Sequence, residues 1–207
     1  MLKLSVDQIL RKIKKREVFD CSVEDGSFSL HISEYVPYVC AAIHNGSNFR
    51  KSLRGNCVLS KQERWFEEDP LTGDFISSLP IRIIANDSRY EDDLNRALDN
   101  CIYEEAWGKK VWNQALARED IHISHKKHSN FYKVIDVLIG VLEKKFKACV
   151  VFDIHSYNFK RITHVEAPMF NVGTVNINEK FRPLVWLAGI LLLLEITLRN
   201  TIFKGFI

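Results

Sequence analysis

Residues 148–156 constrain the fold of this chain more than any other stretch. Their sequence is Ala-Cys-Val-Val-Phe-Asp-Ile-His-Ser, so an apolar run leads directly into an Asp-x-His-Ser group. A short continuous apolar run is typical of a buried strand that is covered on both faces. Ligands in open α/β sheets bind beyond the carboxyl ends of the strands. We therefore predict a buried strand that delivers Asp153, His155 and Ser156 to such a crevice.

These polar residues have two interpretations. A histidine binds metals and transfers protons near neutral pH, and a carboxylate two residues earlier can orient it or balance its charge. Alternatively, Asp153 and His155 merely cap the end of a strand. The rest of the sequence is needed to decide between a metal or catalytic site and a simple strand end.

The composition is that of an ordinary globular protein, with 46% hydrophobic and 27% charged residues among 207. This length is sufficient for a hydrophobic core, and no linker or low-complexity segment interrupts it, so we predict one domain over 1–207. The net charge of +3 is too small to indicate a nucleic-acid partner. The longest apolar run, 184–194, is shorter than the ~20 residues that span a bilayer, so no membrane partner is expected.

The cysteine content favours a reducing compartment. The chain has five cysteines, an odd number, and none forms a Cys-x-x-Cys pair. This argues against a disulfide framework and against a zinc knuckle. No signal peptide is visible at the N-terminus, and we expect a cytoplasmic protein. The sequence does not indicate an oligomeric state.

Predicted helices and strands alternate along the chain, which indicates an α/β fold. The clearest helix start is Ser5, because Gln8 three residues later completes a capping box. The clearest helical stripe lies within 131–146, where apolar residues recur every three or four positions. Helices are predicted over 5–18, 74–79, 104–118 and 131–146, and strands over 28–32, 36–43, 81–85 and 148–152.

Two further features resemble parts of a metal site. His44 follows the apolar run 36–43, and Glu67, Glu68 and Asp69 are adjacent carboxylates before a proline. Adjacent carboxylates repel one another, so a cation or the N-terminus of the following helix should stabilise them. A catalytic zinc site takes two or three histidines, usually a carboxylate, and one open position. The pair His125-x-x-His128 is interpreted instead as surface or substrate-facing.

Asn95 and Arg96 are candidates for a different function, the binding of a carboxylate group. An arginine presents a planar fork that matches a carboxylate with two parallel hydrogen bonds, and an asparagine adds a directional donor. The alternative is an arginine on a solvated turn. The sequence has no Gly-rich phosphate loop and no Gly-x-Ser-x-Gly elbow, so neither a nucleotide-binding enzyme nor a serine hydrolase is expected.

Five short blocks carry a resemblance to a known family. They are His44-Asn45-Gly46, Glu68-Asp69, Ser88-Arg89-Tyr90-x-x-Asp93-Leu94-Asn95-Arg96, Asp153-Ile154-His155-Ser156 and Asn171-Val172-Gly173-Thr174. In this order they resemble the N-formylglutamate amidohydrolase family, which is similar in fold to the zinc carboxypeptidases and aspartoacylase. The resemblance implies a mixed, mostly parallel sheet flanked by helices, of the phosphorylase/hydrolase-like type. It extends from about residue 39 to the C-terminus, and Asp-Leu-Asn-Arg and Asp-x-His-Ser are its most specific parts.

The resemblance implies a zinc-dependent hydrolase of an amide bond in a small N-acyl amino acid similar to N-formylglutamate, or in a peptide. The partner would be a small substrate that carries a carboxylate. By carry-over, the metal ligands are His44, His155 and either Glu68 or Asp69, of which Asp69 is favoured by its position in the motif. Arg89 is implied as a catalytic cation, Asn95 and Arg96 as substrate-carboxylate ligands, Asp153 as a hydrogen-bond partner of a ligand, and Asn171 and Thr174 as pocket residues.

The resemblance also implies a general-base glutamate on a late strand. Residues 199–206 resemble the segment that precedes that strand, so we expect the chain to lack the family's C-terminal part, and Glu195 comes too early to be the base. An alternative function follows from this expectation. The chain is then a catalytically inactive relative that binds a small carboxylate or acts as a regulatory module.

Overall fold

The computed structural model describes residues 1–156, and six strands of this part form one mixed sheet. The strands are β1 (Leu2–Leu4), β2 (Phe19–Val23), β3 (Phe28–Ile32), β4 (Tyr38–Ala42), β5 (Ile81–Ala85) and β8 (Val150–Asp153). Their order is β1-β2-β3-β5-β4-β8. Three of the five pairings are parallel, and only β3 runs antiparallel to its neighbours. The predicted mixed, mostly parallel α/β sheet is confirmed.

Helices cover the sheet, and the longest packs beside the first. They are α1 (Val6–Lys15), α2 (Lys51–Arg54), α3 (Lys61–Glu67), α4 (Thr72–Phe75) and α5 (Arg118–Phe146), with a short 3-10 turn at Leu98–Asn100. The predicted capping box of α1 is present, with reciprocal Ser5 and Gln8 hydrogen bonds. Among the described helices, none is both long enough and apolar enough to cross a lipid bilayer. All five cysteines are free.

The alternation of side chains along the strands divides the apolar core into two layers. On one face of the sheet, Val39 and Ile83 pack with buried residues of α1 and α5, such as Ile13 and Leu138. On the other face, Cys40 and Ala42 pack with residues that follow α4, including Ile76. Strand β4 is therefore packed on both faces, and its carboxyl end is fixed in position.

The helix predicted over 104–118 is wrong. Instead, β6 (Glu105–Ala106) and β7 (Lys109–Lys110) form a small antiparallel hairpin. Trp107 and Gly108 between them have φ values of 50° and 73°. Two consecutive residues with positive φ are the signature of a tight hairpin turn, which a helix cannot contain. The next helix, α5, begins at Arg118 and includes the His-rich segment that precedes the predicted stripe.

The prediction that the strand 148–152 is buried on both faces is also wrong. Val150, Val151 and Phe152 are 51%, 42% and 51% exposed. Among residues 1–156, β8 pairs with β4 alone and lies at the end of the sheet. Within residues 1–156, the apolar side chains of this strand are therefore about half exposed on both faces. The single-domain prediction over 1–207 stays a prediction, and Asn171, Thr174 and Glu195 lie outside the described residues.

The three parallel strands β5, β4 and β8 end at the same edge of the sheet. At this edge, the loops that follow β4 and β5 cross at Gly46 and Asn86. A Cβ atom built on Gly46 would overlap the backbone of Asn86, and Asn48 N donates a hydrogen bond to Asn86 O at 3.0 Å. Gly46 is therefore required because two backbones approach closely.

Gly46→Ala is expected to destabilise the protein by about 1–3 kcal/mol, because the methyl group overlaps fixed backbone rather than a mobile side chain. Urea unfolding measures the effect. Gly140→Ala is the matched control, since Gly140 lies inside α5 with open space around it. That variant should gain about 0.5–1 kcal/mol. Equal stability of Gly46→Ala and wild type would contradict the close approach.

Candidate metal centre

Three side chains meet beyond the carboxyl ends of β4 and β8. They are His44, Asp69 and His155, and one potential ligand atom of each lies within 4.8 Å of the other two. The centroids of the two imidazole rings are 4.9 Å apart. Backbone hydrogen bonds fix the segments, from Asp69 N to His44 O at 2.9 Å and from Ile154 N to Ala41 O at 2.8 Å. The fold thus brings together residues from three separate parts of the sequence.

The two histidines have the same orientation relative to their carboxylates. His155 places Nδ1 at 2.8 Å from Asp69 Oδ2, and its Nε2 at 2.8 Å from Asp153 Oδ2. His44 places Nδ1 at 3.4 Å from Asp69 Oδ2, and its Nε2 at 2.6 Å from Asp93 Oδ1. A carboxylate on Nε2 favours the tautomer with the proton there, which leaves the Nδ1 lone pair directed at the centre.

This donor set fits a zinc ion. The buried Nδ1 atom of His44 has no hydrogen-bond partner within residues 1–156. Asp69 Oδ1 accepts a hydrogen bond from Ser156 Oγ at 2.8 Å, so Oδ2 is the oxygen that faces both histidines. Two imidazole nitrogens and one carboxylate oxygen are the protein ligands of several catalytic zinc sites, in which a fourth position stays open.

The electrostatics of the centre follow from these contacts. Burial alone would raise the pKa of Asp69, but the hydrogen bond from His155, the nearby His44 ring and the hydrogen bond from Ser156 outweigh it and hold the pKa below its usual range. Burial disfavours the charged form of His155, but Asp153 and Asp69 reverse this and raise its pKa to about 9. In the absence of metal, His155 is therefore protonated at neutral pH and balances the charge of Asp69.

A pH dependence of stability follows for the metal-free protein. Because the folded-state pKa of His155 lies above its ordinary value of 6.5, its contribution is fully present below about pH 6.5. It is lost as the pH rises from about 6.5 to about 9. Urea unfolding in the presence of EDTA should show stability that falls over this window, with a smaller fall in His155→Ala. An identical pH profile for the two proteins would contradict the pairing of His155 with Asp69 and Asp153.

Glu68, the other predicted candidate for the third ligand, points elsewhere. Its buried carboxylate accepts a hydrogen bond from Ser88 Oγ at 2.5 Å. Burial raises the pKa of Glu68. The adjacent carboxylates of Glu68 and Asp69 therefore point to different partners. Of the two, only Asp69 lies close to both histidines.

Asp93 holds His44 in place, a role that the sequence did not reveal. Its side chain is 0% exposed and accepts hydrogen bonds from His44, from Asn95 N at 2.8 Å, from Arg89 Nη2 at 3.0 Å and from the Tyr103 hydroxyl. Burial opposes the ionised form, but His44 and Arg89 lower the pKa of Asp93 to about 2. Asp93 is therefore a permanent anion behind the centre.

Arg89 lies among protein groups rather than free in a cavity. Besides Asp93, it donates to Glu67 O and to the Tyr103 hydroxyl, each at 3.0 Å, and its guanidinium lies 4.9 Å from the Trp107 ring centroid. This geometry positions Asp93. The catalytic role of Arg89 stays a prediction.

Asn95 and Arg96 lie two and three residues after Asp93, and both are exposed. The Arg96 side chain is 55% exposed, with Nε at 3.9 Å from Asp93 Oδ2 and the guanidinium 5.6 Å from the Tyr103 ring centroid. The backbone of this loop is tied to α5, because Arg96 O lies 2.9 Å from His128 Nε2. The structure thus places an exposed guanidinium fork beside Asp93, and His128 supports the loop that carries it.

The edge of this sheet and its ligand set define the class of protein. It is an α/β protein whose strand ends bring two histidines and an aspartate together. Residues 36–186, nearly three quarters of the chain, match the sequence model of N-formylglutamate amidohydrolase. The chain therefore belongs to the N-formylglutamate amidohydrolase family, and the predicted resemblance is confirmed. No curated protein and no solved structure matches the chain.

Proposed function

We propose that this protein is a zinc-dependent hydrolase of the amide bond in a small N-acyl amino acid similar to N-formylglutamate. One observation carries the proposal. His44 Nδ1, Asp69 Oδ2 and His155 Nδ1 converge, and the other nitrogen of each imidazole faces a carboxylate. Membership in an amidohydrolase family supports the bond type.

Zinc, when bound, would polarise the scissile carbonyl and lower the pKa of water toward ~7. The protein's own residues prepare the site for it. Asp93 and Asp153 keep the Nε2 protons of His44 and His155 in place, so that both Nδ1 atoms remain ligands. Ser156 holds the carboxylate of Asp69 through its other oxygen.

Arg96 and Asn95 are proposed to hold the carboxylate of the substrate. Arg96 is exposed beside Asp93, and its planar fork can donate hydrogen bonds to both oxygens of a carboxylate. Holding the acidic end of the substrate at a fixed distance from the centre lowers the entropy cost of reaching the reactive geometry.

Hydrolysis of N-formyl-L-glutamate by the purified, zinc-loaded chain tests this proposal, with released glutamate as the readout. We expect turnover that EDTA removes and added zinc restores. Bound zinc without turnover, together with tight binding of glutamate, would favour a carboxylate-binding module instead. Turnover that is unaffected by EDTA would contradict the zinc dependence.

Arg96→Ala is expected to raise KM about 10- to 100-fold, because a charge-assisted pair contributes about 1.5–3 kcal/mol. The zinc content should not change, since Arg96 is not a ligand. Arg11→Ala, on the exposed face of α1, is the matched control for the loss of one positive charge. Loss of zinc from Arg96→Ala would overturn the assigned role.

A further inference from the structure

Two side chains of α5 contact the loop that carries Asn95 and Arg96. His128 Nε2 lies 2.9 Å from Arg96 O, and the Tyr132 hydroxyl donates a hydrogen bond to Leu94 O. A carbonyl oxygen only accepts hydrogen bonds, so Nε2 of His128 carries a proton. The two acceptors, Leu94 O and Arg96 O, lie on either side of Asn95 in the chain. The helix therefore holds the backbone of this loop at two points.

His128 and Tyr132 form a packed pair on one face of α5. They are four residues apart, a spacing that makes side chains neighbours on a helix surface. Their ring centroids lie 4.8 Å apart, and His128 is only 5% exposed. Phe131, which precedes Tyr132, packs its ring against that of Phe28 in β3, with 5.5 Å between the centroids. The two donors are thus fixed relative to the sheet.

The side chain of Arg96 depends on its backbone for its position. It is 55% exposed, and its Nε lies 3.9 Å from Asp93 Oδ2, which is longer than a hydrogen bond. Within the loop, Asn95 N donates to Asp93 Oδ1 at 2.8 Å and Arg96 N to Asp93 O at 3.1 Å. These bonds tie the loop to Asp93, the partner of His44. The bond from His128 fixes the end of the loop from which the guanidinium extends.

We propose that His128 and Tyr132 are positioning residues, which hold Arg96 where it meets the carboxylate of the substrate. This inference rests on the proposed function, in which Arg96 binds that carboxylate. A reacting group that is misplaced by about 1 Å can cost about 100-fold in rate, so the distance between this anchor and the candidate metal centre matters. The two side chains act through the backbone of Arg96 and do not need to touch the substrate.

His128→Leu should raise the KM for N-formyl-L-glutamate about 3- to 10-fold, the equivalent of one lost hydrogen bond, with little change in kcat. Leucine leaves Arg96 O without its donor. His128→Gln should keep KM within about twofold of wild type, because the side-chain amide of glutamine can donate to the same oxygen. His122→Leu is the matched control, because His122 is an exposed residue of the same helix.

A double-mutant cycle tests whether His128 acts through Arg96 or has a merely structural role. In the Arg96→Ala background, His128→Leu should change KM by less than about twofold, because the group that it positions is gone. Tyr132→Phe should behave in the same way in both backgrounds, and it replaces His128→Leu if that variant does not fold. Effects on KM that multiply in the double variant would overturn the proposal.

Amide hydrogen exchange of residues 94–97 reports on the loop without zinc or turnover. His128→Leu should speed the exchange of the Arg96 amide about 10-fold, whereas His122→Leu should leave it unchanged. Unchanged exchange in His128→Leu would overturn the positioning role, whatever the activity. If wild type neither hydrolyses N-formyl-L-glutamate nor binds glutamate, faster exchange in His128→Leu would overturn the proposed function and leave the pair with a structural role.

Discussion

His155→Ala is expected to abolish zinc binding while the protein stays folded. His155 supplies one of the three converging ligand atoms, and its removal leaves only His44 and Asp69. Loss of a partner that merely orients a ligand already costs about 10- to 100-fold in metal affinity, so loss of the ligand itself should cost more. The fold should survive, because His155 follows the half-exposed strand β8 and belongs to none of the buried apolar clusters of residues 1–156.

Competition with a chromogenic zinc chelator measures the affinity, and circular dichroism checks the fold. His122→Ala is the matched control, because His122 is an exposed residue of α5. The control should bind zinc as tightly as wild type. Full zinc binding by His155→Ala would remove His155 from the centre and leave the ligand assignment without its basis.

Asp93→Ala is expected to destabilise the protein by about 3–5 kcal/mol, the cost of breaking a buried charge pair from one side. Arg89 loses its buried carboxylate partner, and the Tyr103 hydroxyl loses its acceptor. His44 simultaneously loses the group that orients its ring, so zinc affinity should fall as well. Urea unfolding of the metal-free protein isolates the effect on stability from the effect on binding.

Tyr103→Phe provides a milder companion to Asp93→Ala. It removes one hydrogen bond to Asp93 but keeps the charge, so the loss of stability should be about 1 kcal/mol. Tyr90→Phe is the control, because the Tyr90 ring packs 5.8 Å from that of Tyr103 but its hydroxyl is not a partner of Asp93. If Asp93→Ala were as stable as wild type, Asp93 would not hold the centre together.

The sequence predicted the centre because its signals are local. An apolar run followed by His marks a strand end, and the parallel strands β4 and β8 place His44 and His155 side by side. Asp93 was missed because its role arises only when the loop after β5 folds under His44. The one local hint was its position four residues after Arg89, a spacing that permits an ion pair.

Two other differences between the predicted and the observed structure have the same physical origin. The run before Asp153 is as apolar as a central strand, but its burial depends on neighbours that the run itself does not specify. Residues 104–118 were predicted as a helix, but the positive φ angles of Trp107 and Gly108 form a hairpin turn there. Edge position and turn conformation depend on tertiary context, which periodicity does not report.

X-ray absorption at the zinc edge of the zinc-loaded chain tests the proposed zinc centre most directly. We expect one zinc per chain with two imidazole nitrogens at about 2.0–2.1 Å and at least one oxygen at about 2.0–2.2 Å. Any zinc that His155→Ala still binds should have one imidazole nitrogen fewer in its coordination shell. A spectrum dominated by sulfur at about 2.3 Å, or a chain that binds no zinc, would contradict the centre formed by His44, Asp69 and His155.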